Sequence, residues 1–117
     1  MQAVSIHVVD IAHGRVARGM KVEVFRLEAG TAAHVVTGTV GNNGVVDGLN
    51  GHHTLFDVGV YELRLHVGDY YRALKTPLPQ PAFMEVQVFR FGLSDVSQHY
   101  HLPVKLTPWG LSCFRGA

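Results

Sequence analysis

What most constrains this chain is a two-residue alternation of apolar and polar side chains. Short stretches rich in Val, Ile, Tyr and Phe are broken by Gly and Asn turn signals, and helical periodicity is nearly absent. Segments 3–10, 20–28, 34–40, 54–57, 61–67, 84–91, 99–107 and 111–115 read as strands. Turns are expected at His13-Gly14, Asn42-Asn43-Gly44, residues 48–51 and Val58-Gly59. Strands this short and numerous bury one face each by stacking two sheets, so the chain is expected to be an all-β sandwich of about eight strands. One short helix is expected over 69–75, because Asp69 can cap it and Leu74 follows Tyr70 by four positions on the same face. Pro77, Pro79 and Pro81 then impose an extended connection, each fixing its own φ and lacking an N–H.

With 117 residues, the chain fits one domain, expected to span 1–117 without repeats or linkers. Its 47% hydrophobic and 16% charged residues are the composition of a folding chain. Ten basic against nine acidic residues, with no basic stripe, argue against a nucleic-acid partner. No apolar run approaches the roughly 20 residues that span a bilayer. The opening MQAVSIHVVD lacks a basic flank followed by an apolar signal core, so no membrane partner is expected and the cytosol is the expected location. Cys113 is the only cysteine, which excludes an internal disulfide and a Cys-based zinc cage. Eight histidines in so short a chain are the first sign of chemistry.

Residues two apart in a strand share a face, so His99 and His101 should point the same way, with Lys105 continuing the row. Pro103 lies in that row and cannot donate to a ladder, which implies an edge strand, a bulge, or a break that shifts the parity. In the first strand His7 shares a face with Ser5 and Val9, opposite Val4, Ile6 and Val8. That apolar set should face the core, which turns His7 outward; if the first and seventh strands share a sheet, His7 and His101 converge on its outer face. Three readings stay open at this level: ordinary surface histidines, a zinc site built on His7, His99 and His101, or a neutral imidazole acting as general base on water.

The strand SIHVVD, the segment GRVARGMKVEVFRL, the GNNG turn, GVYELRLHVGDYY, AFMEVQVFRF and the ending HYHLPVKLTPWGLSCFRGA follow one pattern in order. The chain resembles the 5-hydroxyisourate hydrolases, the transthyretin-related enzymes of urate breakdown. The resemblance implies a transthyretin-like two-sheet sandwich with one short helix. It also implies a homotetramer, a dimer of dimers with its sites in the channel between them. The implied reaction opens the six-membered ring amide of a small-molecule substrate, with no metal and no organic cofactor. Carried over by position, the catalytic residues would be His7 and His101, with His99 in a supporting role.

Two departures from the pattern alter the implied lining. Many members have an Arg after the Asp-Gly of a T-N-x-D-G-R turn and end in Y-R-G-S. Here Val45 stands at the Arg position, and the end reads Phe114-Arg115-Gly116-Ala117, so of the terminal motif Arg115 and Gly116 remain. A guanidinium and two hydroxyls are replaced by apolar groups. An unmodified ring would then leave polar atoms unpaired at about 1 to 3 kcal/mol each. N-methylated rings suit such a lining, each methyl gaining roughly 0.8 kcal/mol on burial. The expectation is therefore a hydrolase of methylated 5-hydroxyisourate, as arises from caffeine-like methylxanthines. The alternatives are an ordinary 5-hydroxyisourate hydrolase and a transthyretin-like carrier of a small apolar molecule. Lys105 is a candidate for the positive charge lost at Val45. Cys113, opposite Ser112 and Phe114 and with no basic neighbour, is expected to be a structural thiol. His13, His34, His52, His53 and His66 show no convergent pattern.

Overall fold

The computed structural model describes residues 3–49 and 55–116. Along the chain come β1 (Val4–Asp10), β2 (Arg15–Val16), β3 (Lys21–Glu28), β4 (Thr31–Thr39), β5 (Gly59–His66), α1 (Val67–Ala73), β6 (Val86–Leu93), β7 (Tyr100–Thr107) and β8 (Gly110–Cys113). They form two four-stranded sheets, ordered β2-β1-β7-β8 and β4-β3-β5-β6. All pairings are antiparallel except β1 with β7, which run parallel. The inner faces carry Val4, Ile6 and Val8 of β1, Leu102, Val104 and Leu106 of β7, and Val22, Val24, Leu63 and Leu65 of the opposing sheet. Each such side chain contributes about 1.5–3 kcal/mol on full burial. This is the two-sheet sandwich expected from the alternation.

The differences from the sequence reading have local causes. Residues 55–57 form no strand, and Thr54 lies outside the described residues. Phe56 is buried there as a plug against the Tyr61 ring, an apolar residue used without a ladder. The two-residue β2 is too short to show a period. The helix begins at Val67, directly off β5, with His66 at its N-cap and no side-chain cap bond; Asp69 sits in its first turn instead of capping it. Burial of Val67, Gly68, Tyr70 and Tyr71 fixes the helix where a cap would otherwise be needed.

One polar group is set deep in this packing. Asp10 ends β1 fully buried, and its carboxylate accepts from Tyr71 (2.7 Å), Tyr70 (2.8 Å), the His13 backbone N–H (3.2 Å) and His13 Nδ1 (2.7 Å). Burial pushes this carboxyl up, but the hydrogen bonds from Tyr71, Tyr70 and His13 outweigh it and hold the group below its ordinary value. Burial and the same carboxylate push the Tyr70 hydroxyl up to about 12. The network ties the end of β1 to α1. On the other side of the helix, Arg72 bridges Asp69 (2.8 Å) and Glu85 (2.6 Å), and its hydrogen bonds hold the Glu85 carboxyl down at about 2.

Candidate functional site

The parallel register of β1 and β7 sets Ser5 beside His101, His7 beside Pro103 and Val9 beside Lys105. Because Val4, Ile6 and Val8 face the core, the Ser5, His7 and Val9 side chains stand on the outer face of the sheet. Tyr100, Leu102, Val104 and Leu106 likewise turn His101, Pro103 and Lys105 outward. His7 and His101 are therefore diagonal neighbours on one face, a spacing of about 7–8 Å along such a ladder.

Pro103 neither breaks the strand nor shifts its parity, and β7 is a central strand. The His101 carbonyl accepts from the Gly116 N–H (2.6 Å), so the backbone of Pro103, two residues on, faces the β8 side as well. The β8 ladder ends at the Val104–Cys113 pair, so no carbonyl of β8 stands opposite the missing N–H.

Two distant segments complete the face by single antiparallel bridges, Val45 to His7 and Gly116 to His101. On one side the 41–45 turn packs down on β1: Val8 N–H donates to the Gly44 carbonyl (2.9 Å) and Val46 N–H to the Ile6 carbonyl (2.9 Å). His7 Nε2 lies 3.1 Å from the Asn43 carbonyl. A carbonyl only accepts, so that nitrogen carries the hydrogen, and in the neutral ring Nδ1 holds the lone pair. Gly44 has φ +84°, and a Cβ there would fall on the His7 ring and Val16, so the turn needs glycine for its backbone and for the space. On the other side Gly116 rests on Pro103 and His101, its missing Cβ 3.1 and 3.2 Å from them.

Ser5 is a participant that the strand alternation placed on this face without marking it. Its hydroxyl lies 2.8 Å from His99 Nε2 and 2.7 Å from His101 Nδ1, so it joins the two histidines of the HYH segment. A small hydroxyl two residues before His7 was the available signal, and Ser is too common in strands for it to stand out. The remaining candidates are more dispersed. Lys105 is exposed, diagonal to His7 and paired with Ser112. Phe114 is exposed just beyond β8. Arg115 stacks its guanidinium over the Tyr100 ring at 4.0 Å and donates to Gln98 Oε1 (3.0 Å), at the His99 end of the row. Ala117 lies outside the described residues.

Cys113 packs against the core on the opposite side of the sheet from Ser112, and burial pushes its thiol up to about 11. Such a thiol is a poor nucleophile at neutral pH. The other described histidines are held elsewhere: His13 by Asp10, His34 by Thr37 and His66 by Glu23; His52 and His53 lie outside the described residues. Among the described residues no three His, Cys, Asp or Glu side chains are grouped to hold a metal ion. No described helix is long and apolar enough to cross a membrane.

A sandwich with a histidine row on one outer face, closed by a turn and the C-terminal tail, matches a known family. The HIUase/Transthyretin family covers residues 4–116, and the chain belongs to it. The chain is 45% identical to 5-hydroxyisourate hydrolase 2 of Rhizobium meliloti over 112 residues, covering 95% of this chain and 92% of that protein. It is 38% identical to 5-hydroxyisourate hydrolase of Pseudomonas aeruginosa over 119 residues, covering 100% and 93%. With relatives this similar along their whole length, the protein is a hydrolase. Among solved structures it is similar to (S)-allantoin synthase, with TM-score 0.88 and 28% identity, covering 97% of this chain but 43% of that one. The Klebsiella pneumoniae 5-hydroxyisourate hydrolase shares the fold over 100% of both chains, with TM-score 0.81 and 22% identity.

Proposed function

We propose that the protein opens the six-membered ring amide of a 5-hydroxyisourate, and that the ring it prefers is N-methylated. The observation that carries the reading is the common outer face of His7 and His101, with Val45 bridged directly to His7. His101 takes a proton from water, and the resulting hydroxide adds to the ring carbonyl. As the C–N bond breaks, the imidazolium returns the proton to the leaving nitrogen. His7, anchored through Nε2 on the Asn43 carbonyl, offers Nδ1 to the water and holds it between the two rings. Lys105 faces the oxygen that gains charge, from the strand position diagonal to His7. Arg115, Gly116 and His99 border the ring at the other end, and Phe114 lines it from the tail.

Val45 supports the methylated substrate. A hydrocarbon beside the base offers no partner to a ring N–H but packs against a methyl group, at roughly 0.8 kcal/mol per carbon. On a single chain the face is open, so copies of the chain are needed to enclose a bicyclic guest. A homotetramer, a dimer of dimers with the site in the channel between them, supplies that enclosure. The 47% exposed Phe114 and the 59% exposed Trp109 are the kind of surface such an assembly covers.

Initial rates of ring opening, followed by ultraviolet absorbance on trimethylated and unmethylated 5-hydroxyisourate, test the reading. We expect kcat/KM to favour the trimethylated ring. Preference for the unmethylated ring would return the protein to ordinary urate breakdown. His101→Ala should lower turnover by about 10²- to 10⁴-fold. If that variant instead matched the parent, the apolar lining would belong to a carrier.

A further inference from the structure

We infer that Ser5 is a positioning residue that sets the tautomer of His101 and passes its proton to His99, so that the three side chains act as one relay. The inference rests on the proposed role of His101 as the base. Ser5 is almost fully buried, 9% exposed, and its hydroxyl lies 2.7 Å from His101 Nδ1 and 2.8 Å from His99 Nε2. Ser5 and His101 come from two strands whose parallel register sets them side by side, so that contact is built into the sheet, and His99 lies just before β7.

A serine hydroxyl holds one hydrogen. It therefore donates to one imidazole and accepts from the other, and the two rings cannot choose their tautomers independently. In one arrangement His101 Nδ1–H donates to Ser5 Oγ and Ser5 donates to His99 Nε2. His101 Nε2 is then a bare lone pair, as a base acting on water requires. In the other arrangement every hydrogen bond runs the opposite way and His101 Nε2 carries a hydrogen.

Proton uptake interconverts the two. When His101 Nε2 takes a proton from water, the hydrogen on Nδ1 moves to Ser5 Oγ and the serine hydrogen moves to His99 Nε2. The water is left as hydroxide, His101 is again neutral, and the positive charge resides on His99, which is exposed to solvent. Reversing the last two hops, from His99 to Ser5 and from Ser5 to His101 Nδ1, restores an imidazolium at His101 when the leaving nitrogen needs its proton. The chain thus spreads the charge away from the reacting carbonyl between the two steps.

Ser5→Ala and Ser5→Thr separate this role from packing. Ser5→Ala is expected to lower kcat by about 10- to 100-fold with KM within about twofold of the parent, the scale of losing a partner that orients a functional imidazole. Ser5→Thr keeps the hydroxyl and should restore kcat. Imidazole nitrogen NMR gives a readout independent of turnover: His101 should be Nδ1-protonated in the parent and shift toward the Nε2-protonated form in Ser5→Ala. A Ser5→Ala kcat within about twofold of the parent, failure of Ser5→Thr to restore it, or an unchanged His101 tautomer would each overturn the relay. His101→Ala is run alongside. If it is inactive while Ser5→Ala is fully active, the relay alone is wrong; if it retains turnover, the reading of the site is wrong.

Discussion

Gly44→Ala is expected to disable the site far more than it destabilises the fold. Gly44 sits at φ +84°, and an L side chain in that region costs about 1–2 kcal/mol in backbone strain. The added Cβ would also lie 2.8 Å from His7 Cδ2 and 2.7 Å from Val16 Cγ1, and closer still to His7 Nε2. Backbone on the bridge to β1 is held by the Val8 and Val46 hydrogen bonds, so the imidazole is the softer partner and must rotate away. That rotation breaks the bond between His7 Nε2 and the Asn43 carbonyl, worth about 0.5–1.5 kcal/mol net. The sum is about 1.5–3.5 kcal/mol, or a fall in melting temperature of about 6–14 °C for a chain of this size.

Activity should suffer more, because the ring that holds the attacking water no longer faces His101; a loss of about 10²-fold or more in kcat is expected at a temperature where the variant is folded. Gly14→Ala is the matched control. Gly14 has φ +65° with nothing within 4 Å of the added Cβ, so it carries similar backbone strain and no collision. Steady-state rates at 20 °C, with circular dichroism to establish folding, compare the two. If Gly44→Ala turns over within about twofold of Gly14→Ala, the turn does not position His7.

Three further outcomes are open to direct measurement. Asp10→Ala leaves the Tyr70 and Tyr71 hydroxyls without their buried acceptor and should cost about 3 kcal/mol or more in urea unfolding at pH 7. Because the folded-state value of Asp10 is lowered, its stabilisation is complete above the unfolded carboxyl value of 3.8 and is lost as pH falls through the folded value. The parent should therefore lose more stability between pH 6 and pH 3 than Asp10→Asn does; equal slopes would show that the carboxylate is not held ionised. Lys105→Met should depress kcat while leaving the melting temperature near the parent's, and an unchanged rate would remove Lys105 from the reaction. With its thiol near 11, Cys113 should react with iodoacetamide at pH 8 about 100-fold more slowly than free cysteine, and alkylation at the free rate would contradict its burial.

The alternation along β1 and β7 was enough to turn His7 and His101 outward, because each strand carries an unbroken buried set on its other face. It could not show that β1 and β7 are parallel neighbours. That pairing joins segments more than 90 residues apart, and the sequence records it only as two compatible faces. Pro103 leaves an edge strand, a bulge or a parity break open in the sequence, because the residue alone does not reveal that β8 stops one pair short of it. The helix start was misplaced for a related reason: Asp69 is a good capping residue, yet burial of Val67 and Tyr71 decided the boundary. Ser5 went unmarked because its meaning lies in two contacts across strands, and neither leaves a local trace.

The way the face is assembled separates what can change from what cannot. His7 and His101 sit inside a ladder of seven consecutive pairs, where displacing either would disturb the register of core residues on the reverse side. Val45 and Gly116 reach the same face through single bridges from a turn and a tail. A side chain at Val45 can therefore be exchanged for a larger or charged one without moving the strand that carries the imidazole, since Val46, the next residue, supplies the core contact. On this architecture the ladder holds the base and the bridged segments set which ring it meets. Val45→Arg should accordingly shift preference toward the unmethylated ring, read as the ratio of the two kcat/KM values, while leaving the melting temperature close to the parent's. An unchanged ratio would mean that selectivity is set elsewhere on the face.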